Sequence, residues 1–412
     1  MPEVKPSEVE STASIKVIGV GGAGGSAVNR MREAGLSGVE FVAMNTDAQA
    51  LHNSKADRKV HLGHDTTNGL GAGADPTVGE RAADESRDEI REALAGADMA
   101  FVTLGAGGGT GSGAGYIVAE EARNQDILTV GVVTKPFSFE GQKRRANADW
   151  GIERLARNVD ALITIPNDRL LQTIDQRTPI LEAFKIADDV LRQGVQGISE
   201  LITEHGLVNL DFADVRAIMK DAGSALMGIG RASGENRATI AAQQAIESPL
   251  IEVSIDGARG VLLSVIGGYD LSMAEINEAA ELVTASISPD ANIIWGAAIR
   301  PELEDEVIIT VVATGFDSQY YGDDPRAQQQ DSYVSDSSVS TEPTQASVDP
   351  VRSMPEEPVE QHSTTASVPP ETQASAVFTG DTNVNIWDQI RNDGDDDSDV
   401  PAILRRRKKN KD

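Results

Sequence analysis

Short apolar runs alternate with amphipathic stretches along the first half of the chain. Five runs rich in valine, isoleucine and leucine have the length and composition of buried strands, namely residues 15–20, 39–44, 99–104, 127–133 and 161–166. In the stretches between them, apolar residues recur at helical spacing. This alternation of strand and helix predicts an α/β fold, in which helices cover both faces of a parallel, Rossmann-like sheet.

One unusually long helical pattern follows, over residues 179–204. Pro179 suits the first turn of such a helix, where its missing N–H costs no hydrogen bond. We expect this helix to connect two domains, the first at residues 15–178 and a smaller α/β domain at 205–316. Strand-like runs at 260–268 and 307–315 support the second domain.

Polar sequences flank these two predicted domains. Residues 1–14 are expected to be disordered. Residues 317–380 are rich in Ser, Gln, Asp, Pro and Thr, and they predict a disordered linker because they cannot bury enough apolar surface to offset the entropy of ordering. Residues 381–412 end in an apolar cluster, Val400 to Leu404, and a basic run from Arg405 to Lys409. We interpret this last segment as a partner-binding peptide.

Composition and charge exclude several classes of function. The net charge of −29 argues against broad nucleic-acid binding, which needs a cationic surface. No apolar run reaches the roughly 20 residues needed to span a bilayer, and the N-terminus lacks a secretory apolar region, so a cytoplasmic protein without direct membrane insertion is expected. The chain has no cysteine, and its one close histidine pair, His61 and His64, reads as loop residues, so no protein metal site is predicted.

The first glycine-rich loop, Gly19 to Gly24, matches G-x-G-x-x-G directly after a predicted strand, and Asp47 follows near the end of the next strand. Glycines at such a turn let amide N–H groups approach a phosphate at a helix N-terminus. The motif is short. It is compatible with a nicotinamide-dependent oxidoreductase, and a plain tight turn between strand and helix also remains open.

The second loop, Gly105 to Gly113, contains six glycines in nine residues before a helical pattern. Packing does not readily account for this composition, because glycine loses more entropy on ordering than any other residue. A nest of exposed amides that binds a polyphosphate does account for it, with Thr110 and Ser112 as hydroxyl donors. The P-loop lysine motif is absent, so amides and a metal ion must neutralise the phosphate charge.

The residues around this loop resemble the tubulin/FtsZ family of GTPases, in its bacterial-type cell-division branch. The loop GGGTGSG, Gly107 to Gly113, is similar to the family's signature. Similar stretches extend from about Ile15 to Gly315, among them IKVIGVGGAGGSAVNRM, AMNTDAQAL, VVTKPFSFEGQKR, ITIPNDRLL and GLVNLDFADVR. Ala23 and Ser26 replace the more usual Gly and Asn. The resemblance implies a GTPase domain, a connecting helix and a smaller α/β activation domain.

The resemblance implies that GTP or GDP binds at the two loops, with Mg²⁺ bridging the phosphates. The residues implied on the phosphate side are Gly22, Ala23, Gly24, Gly25, Ser26, Asn45, Gly109, Thr110 and Gly111. Glu140 is implied to accept from the ribose hydroxyls and Arg144 to reach ribose or phosphate. Spacing alone favours a surface ion pair between these two residues.

Phe184 and Asp188, four residues apart on the long helical pattern, are implied to recognise the base. The ring would stack on guanine, and the carboxylate would accept from guanine N1–H and N2–H₂, whereas adenine would leave it unpaired. Asn167 would complete the base site. A core phenylalanine and a solvated charge are the alternative that spacing alone leaves open.

Asp211 and Asp214 begin a helical pattern, so both carboxylates can point the same way. Spacing alone favours N-terminal capping. The resemblance implies in addition that Asn209, Asp211 and Asp214 enter the nucleotide pocket of the next subunit, where the acids polarise the attacking water. Such head-to-tail contacts build an open filament. A scaffold that binds nucleotide without hydrolysis is the alternative.

The resemblance also implies a biological setting. The chain is expected to polymerise with itself into the cytokinetic ring at mid-cell. Its terminal peptide is expected to bind membrane-tethering and regulatory division proteins, and no specific nucleic acid is expected as a partner.

Overall fold

The computed structural model describes residues 13–171, 178–203, 207–208, 211–248 and 255–316. Within these ranges the strands are β1 Ile15–Val20, β2 Val39–Asn45, β3 Arg58–His61, β4 Met99–Gly105, β5 Leu128–Lys135, β6 Ala161–Pro166, β7 Gly223–Ser233, β8 Gly260–Gly267, β9 Asn292–Ile299 and β10 Glu306–Thr314. The helices are α1 Gly21–Glu33, α2 Ala48–His52, α3 His64–Thr67, α4 Pro76–Glu85, α5 Arg87–Leu94, α6 Gly109–Arg123, α7 Gln142–Ala156, α8 Asn167–Leu170, α9 Ile180–Thr203, α10 Phe212–Met219, α11 Arg237–Ile246 and α12 Met273–Ala285.

All described strands belong to one sheet, in the order β3-β2-β1-β4-β5-β6-β7-β10-β8-β9. The first seven strands in this order are parallel to one another, β10 runs antiparallel to β7 and β8, and β9 is parallel to β8. The predicted α/β fold with a mostly parallel sheet is therefore confirmed. The sheet continues through β6 and β7, which pair over three residues from Ala161 and Gly223.

Helices cover both faces of the parallel strands. Side chains of a strand alternate between the two faces, so the buried residues of each strand contribute to both covered faces. In β1, Val17 packs into the cluster beneath α1 and α9, whereas Ile18 packs into the cluster beneath α4, α5 and α6. Every residue of β1 is buried. A third apolar cluster lies between α11, α12 and the strands β8 and β10.

The helix α9 coincides with the long helical pattern expected between the two domains. Its 24 residues correspond to about 36 Å of helix. Thr203, its last residue, packs directly against Gly38, which immediately precedes β2. The helix thus ends at the edge of the sheet where the parallel strands begin.

Several sequence predictions fall outside the described residues. They are the linker 317–380, the terminal peptide 381–412 and, except for Ala13 and Ser14, the N-terminal segment 1–14. In the described part of the chain, no helix combines the length and the apolar character needed to cross a bilayer.

Candidate functional site

The two glycine-rich loops meet at the carboxyl ends of β1 and β4. These neighbouring strands flank the point where the strand order reverses, which is the usual ligand crevice of an open α/β sheet. Gly21 has a φ of +73°, which only glycine adopts readily. A methyl group on Gly21 would lie 2.9 Å from the amide nitrogen of Gly111, so the two loops are in direct contact.

Each loop leads directly into a helix whose first turn lacks a side-chain cap. Among the described residues, no side chain at the cap positions Val20 and Gly108 accepts a hydrogen bond from the first turns of α1 and α6. The amide N–H groups of both turns, with the positive ends of the helix dipoles, are therefore available to an anion.

A cavity of about 210 Å³ opens beside the first loop. Gly22, Gly25, Ser26 and Asn45 line it. Apart from adjacent residues and the backbone of α1 itself, no described atom lies within 4 Å of the position that a methyl group on Gly22 or Gly25 would take, so the backbone is open to a ligand there. The exposed Ala23 side chain contacts the second loop at Gly105.

Several glycines also serve packing. Gly24 is buried, and a methyl group there would clash with the Thr103 carbonyl of β4. In α6, methyl groups on Gly109 and Gly113 would lie 2.8 Å from Asp75 N and 2.7 Å from Glu80 N. The expectation that packing does not account for the second loop is wrong for these two positions, because α4 crosses α6 at backbone distance. Phosphate contacts by these glycines and by Gly111 stay a prediction.

Hydroxyl groups brace the second loop. The Thr110 hydroxyl lies 2.6 Å from the Thr46 hydroxyl in a buried pair, and the Ser112 hydroxyl accepts the Gly107 N–H at 2.8 Å. Thr46 was not among the predicted site residues, although its place directly after β2 was a usable signal. Asp47 caps α2, with Oδ1 accepting the N–H groups of Gln49 and Ala50.

The residues expected near the ribose lie in the turn after β5 and in the first turn of α7. Glu140 ends a 3₁₀ turn, Ser138–Glu140, and its side chain is only 10% exposed. Glu140 Oε1 accepts the Phe137 N–H at 2.9 Å, and Oε2 lies 2.9 Å from Arg144 Nε. A methyl group on Gly107 would lie 2.7 Å from the Arg144 carbonyl oxygen. The ion pair therefore exists, and it lies directly against the second glycine loop.

On the base side, the Phe184 ring is 41% exposed and meets Phe137 edge-on, with 5.5 Å between the ring centroids. The Asp188 side chain is 17% exposed, and its Oδ2 accepts from Arg30 Nε at 3.1 Å. Burial raises the pKa of the Asp188 carboxyl above its usual range, and the Arg30 guanidinium opposes that shift. A core ring and a solvated charge therefore do not describe Phe184 and Asp188. Arg30 was not among the predicted site residues, because no local sequence pattern on α1 indicates a contact with α9.

Asn167 begins α8 at the end of β6 and is buried. Its Oδ1 atom is enclosed and finds no hydrogen-bond donor among the described residues. An orphaned buried acceptor is costly, so a donor on a bound ligand would satisfy it.

The acidic pair forms a reciprocal cap on α10. The Asp214 N–H donates to Asp211 Oδ1 at 2.8 Å, and the Asp211 N–H donates to Asp214 Oδ2 at 3.4 Å. The capping expected from their spacing is confirmed, and both capping bonds lie at the surface. Asn209, the third residue of this predicted group, lies outside the described residues.

This acidic pair lies at the opposite edge of the sheet from the glycine loops. The chain reaches that edge at Thr203, and α10 returns to it: Arg216 Nη2 lies 3.2 Å from Asp126 Oδ2, two residues before β5. The central strands β1 and β5 are six and eight residues long, which corresponds to about 20–26 Å. One copy of the chain therefore does not bring these acids to its own phosphate loops.

No cluster of three or more His, Asp or Glu side chains suited to a metal ion occurs in the described part of the chain. Mg²⁺ needs no such cluster when it arrives with a nucleotide, because this ion retains waters and takes phosphate oxygens as ligands.

Comparisons with known proteins agree with this geometry. Residues 14–175 match the Tubulin/FtsZ family, GTPase domain, and residues 223–317 match the FtsZ family, C-terminal domain. An FtsZ dimer from M. jannaschii is 47% identical, with 74% of this chain and 88% of that chain covered and a TM-score of 0.71. A point mutant of the M. jannaschii FtsZ is 46% identical, over 74% of this chain and 92% of that chain, with the same TM-score of 0.71.

A GTPγS-bound protofilament of CetZ2 from Haloferax volcanii shares the fold alone, at 21% identity and a TM-score of 0.64 over 78% of this chain and 99% of that chain. The identity to the M. jannaschii protein over most of its length, together with the two domain matches, establishes that the chain belongs to the tubulin/FtsZ family of GTPases.

Proposed function

We propose that this chain polymerises head to tail when it binds GTP, and that it hydrolyses GTP to GDP and phosphate at the contact between subunits. One observation carries the proposal: the phosphate loops lie at one end of the parallel strands, and Asp211 and Asp214 lie at the other end. A second copy, stacked in the same direction, would supply those acids to the nucleotide of the first. Such a contact does not close on itself and extends into a filament. The solved dimer of the M. jannaschii FtsZ supports self-association.

The nucleotide would lie along the carboxyl edge of the sheet. Its phosphates would accept from the uncapped first turns of α1 and α6, near Ser26 and Thr110. Glu140 would accept from the ribose hydroxyls. Phe184 would stack on the base, and Asp188 would accept from guanine N1–H and N2–H₂, a pair of donors that adenine does not offer.

Hydrolysis then needs little covalent chemistry from the protein, since phosphoryl transfer depends mainly on positioning and on stabilising charge. Asp211 and Asp214 of the next subunit, with Asn209 beside them, would hold and polarise the attacking water. Mg²⁺, when bound with the nucleotide, would neutralise part of the phosphate charge. Loss of the γ-phosphate would weaken the contact between subunits, so the rate of GTP hydrolysis would set the lifetime of the filament.

We further propose that these filaments form the cytokinetic ring at mid-cell in the cytoplasm. The terminal peptide 381–412 would bind membrane-tethering and regulatory division proteins, because its apolar anchors and basic run suit docking into a groove. One short anchor binds weakly, but many tails on one filament would act together through their effective concentration.

The concentration dependence of GTP hydrolysis tests the shared site. We expect phosphate release per molecule to be near zero in dilute protein and to rise above a threshold concentration at which filaments sediment. A sedimentation assay on the same samples, in GTP and in GDP, measures the concentration at which filaments form. A rate per molecule that stays constant down to high dilution would contradict the proposal.

A further inference from the structure

One carboxylate fastens the turn that carries Glu140 to the neighbouring helix α8. The Ser138 N–H donates to Asp168 Oδ1 at 2.8 Å, and the Ser138 hydroxyl donates to Asp168 Oδ2. Arg145 Nη2 in turn donates to the Ser138 hydroxyl oxygen at 2.8 Å. Ser138 and Asp168 are 30 residues apart in sequence, so these bonds join two separate segments. We call Asp168, Ser138 and Arg145 the clasp.

The clasp lies between two groups expected to touch the nucleotide. Asp168 directly follows Asn167, whose buried Oδ1 lacks a donor among the described residues. Ser138 lies two residues before Glu140. The bonds from Glu140 to Phe137 and Arg144 fix the carboxylate within its own turn and α7. The clasp fixes that turn relative to α8, and hence Glu140 relative to Asn167.

We propose that Asp168 is a positioning residue for ribose recognition, which acts through Ser138 to hold Glu140 at the ribose hydroxyls. This inference rests on the proposed function, in which a guanine nucleotide occupies the site. Hydrogen bonds to a carboxylate are short and strong, so two of them on one residue hold the turn against displacement. A ligating or catalytic side chain displaced by about 1 Å loses much of its effect, and the clasp prevents such a displacement.

The test compares GDP with 2′,3′-dideoxy-GDP, because the two differ only in the ribose hydroxyls. Equilibrium dialysis of the full-length chain with these diphosphates gives both dissociation constants without turnover. We expect the unmutated protein to prefer GDP by about tenfold or more, since a bond to a charged acceptor is lost in the analogue. Asp168→Ala should reduce this preference by about threefold or more, with weaker GDP binding and nearly unchanged binding of the analogue.

Four further variants sharpen the result. Ser138→Ala removes only the hydroxyl bond and should reduce the preference less than Asp168→Ala does. Asp168→Glu should restore part of it. Adding Asp168→Ala to Glu140→Gln should cause no further reduction, because Asp168 acts through Glu140. The matched control is Glu85→Ala: the Glu85 carboxylate likewise accepts the N–H and hydroxyl of one residue, Thr66, which lies in α3 and not in the turn that carries Glu140. It should leave the preference unchanged.

Two results would overturn the inference while leaving the proposed function intact. One is an unchanged preference in Asp168→Ala when Glu140→Gln reduces it. The other is an equal loss of affinity for GDP and its dideoxy analogue in Asp168→Ala, which would make the clasp a support of the fold alone. If Glu140→Gln itself leaves the preference unchanged, the assignment of Glu140 to the ribose is wrong, and the clasp proposal is overturned with it.

Discussion

Arg30 on α1 and Asp188 on α9 form an ion pair, with 3.1 Å between Arg30 Nε and Asp188 Oδ2. The pair joins the helix of the first glycine loop to the helix that carries the expected base-stacking ring. Burial favours the protonated form of Asp188, and Arg30 favours the ionised form. In the proposed site, the Asp188 carboxylate accepts two guanine donors and has to be ionised, so Arg30 would maintain the state that base recognition requires.

We therefore expect GDP affinity to depend on pH through Asp188. The folded-state pKa of this carboxyl is raised, so binding is fully present above that pKa and is lost as the pH falls through it. Arg30→Ala removes the opposing charge and should move this loss to higher pH, and Arg30→Lys should move it back in part. The measurement is GDP affinity by equilibrium dialysis from about pH 4, near the ordinary pKa of an aspartate, up to about pH 8.

Arg32→Ala provides the control for this experiment, since Arg32 lies on the same helix and pairs with Asp57 instead, at 2.7 Å. Its pH profile should match that of the unmutated protein. Identical profiles for Arg30→Ala and Arg32→Ala would show that Arg30 does not govern the ionisation of Asp188.

The glycines of the second loop divide into packing positions and open positions, and two alanine variants separate these roles. Gly113→Ala pushes a methyl group into the backbone of α4 and should lower the free energy of unfolding by about 1–3 kcal/mol. No described atom lies within 4 Å of a methyl group on Gly108, and its φ of −82° suits alanine. Gly108→Ala should therefore weaken nucleotide binding while the unfolding free energy changes by no more than about 0.5 kcal/mol.

Urea unfolding and GDP binding, measured on both variants, decide between the roles. If Gly108→Ala binds GDP as the unmutated protein does, its open backbone does not face the phosphates. If Gly113→Ala is as stable as the unmutated protein, the close crossing of α4 and α6 relaxes at little cost.

The strands that the sequence predicted and those that it missed differ in a physical way. The runs of β1, β2, β4, β5 and β6 are continuous apolar segments because both faces of each strand are covered. In contrast, β7 contains Gly228 and Gly230, and glycine is depleted in strands. Gly230 is nevertheless needed there, because α11 crosses so closely that a methyl group would strike the Ala241 carbonyl. The strand β3 was not predicted because it has only four residues. The strand β9 lies at the sheet edge and is only partly buried, so its sequence lacks the pattern of a strand that is covered on both faces.

Within the site, local motifs were predictable and long-range contacts were not. The glycine loops and the acidic pair each lie within a few residues, so their spacing shows in the sequence. The partners of Asp188 and Asp168 are 158 and 30 residues away, and only the folded topology brings Arg30 and Ser138 to them. No sequence pattern indicated that Gly109 and Gly113 support α4.

Asp211 has two possible roles, which one substitution can separate. Its Oδ1 caps α10, and asparagine caps a helix about as well as aspartate does. Asp211→Asn should therefore keep the unfolding free energy within about 0.5 kcal/mol, whereas Asp211→Ala should lower it by about 1 kcal/mol. If the charge also polarises water, turnover in Asp211→Asn should fall by about 100-fold or more. Phosphate release and thermal unfolding of both variants provide the measurement, and unimpaired turnover in Asp211→Asn would leave capping as its whole role.

The opposite placement of the phosphate loops and the acidic pair also predicts complementation between two inactive variants. Asp214→Ala should bind GTP normally, because in this arrangement Asp214 serves the nucleotide of the next subunit. It should hydrolyse GTP slowly and form longer-lived filaments. Thr110→Ala loses the buried hydroxyl pair with Thr46 and should impair the pocket while leaving its own acids intact.

In an equal mixture, a contact is complete when the pocket comes from the Asp214→Ala subunit and the acids come from the Thr110→Ala subunit. Random assembly makes about one contact in four complete, so phosphate release should recover to about a quarter of the unmutated rate. Each variant alone at the same total concentration provides the baseline, and GDP binding by Asp214→Ala verifies that its pocket is intact. If the mixture releases no more phosphate than the two variants do separately, while both remain folded and co-sediment, pocket and acids must act within one subunit. We do not expect that result, because the length of the parallel strands separates the pocket of each subunit from its own acids.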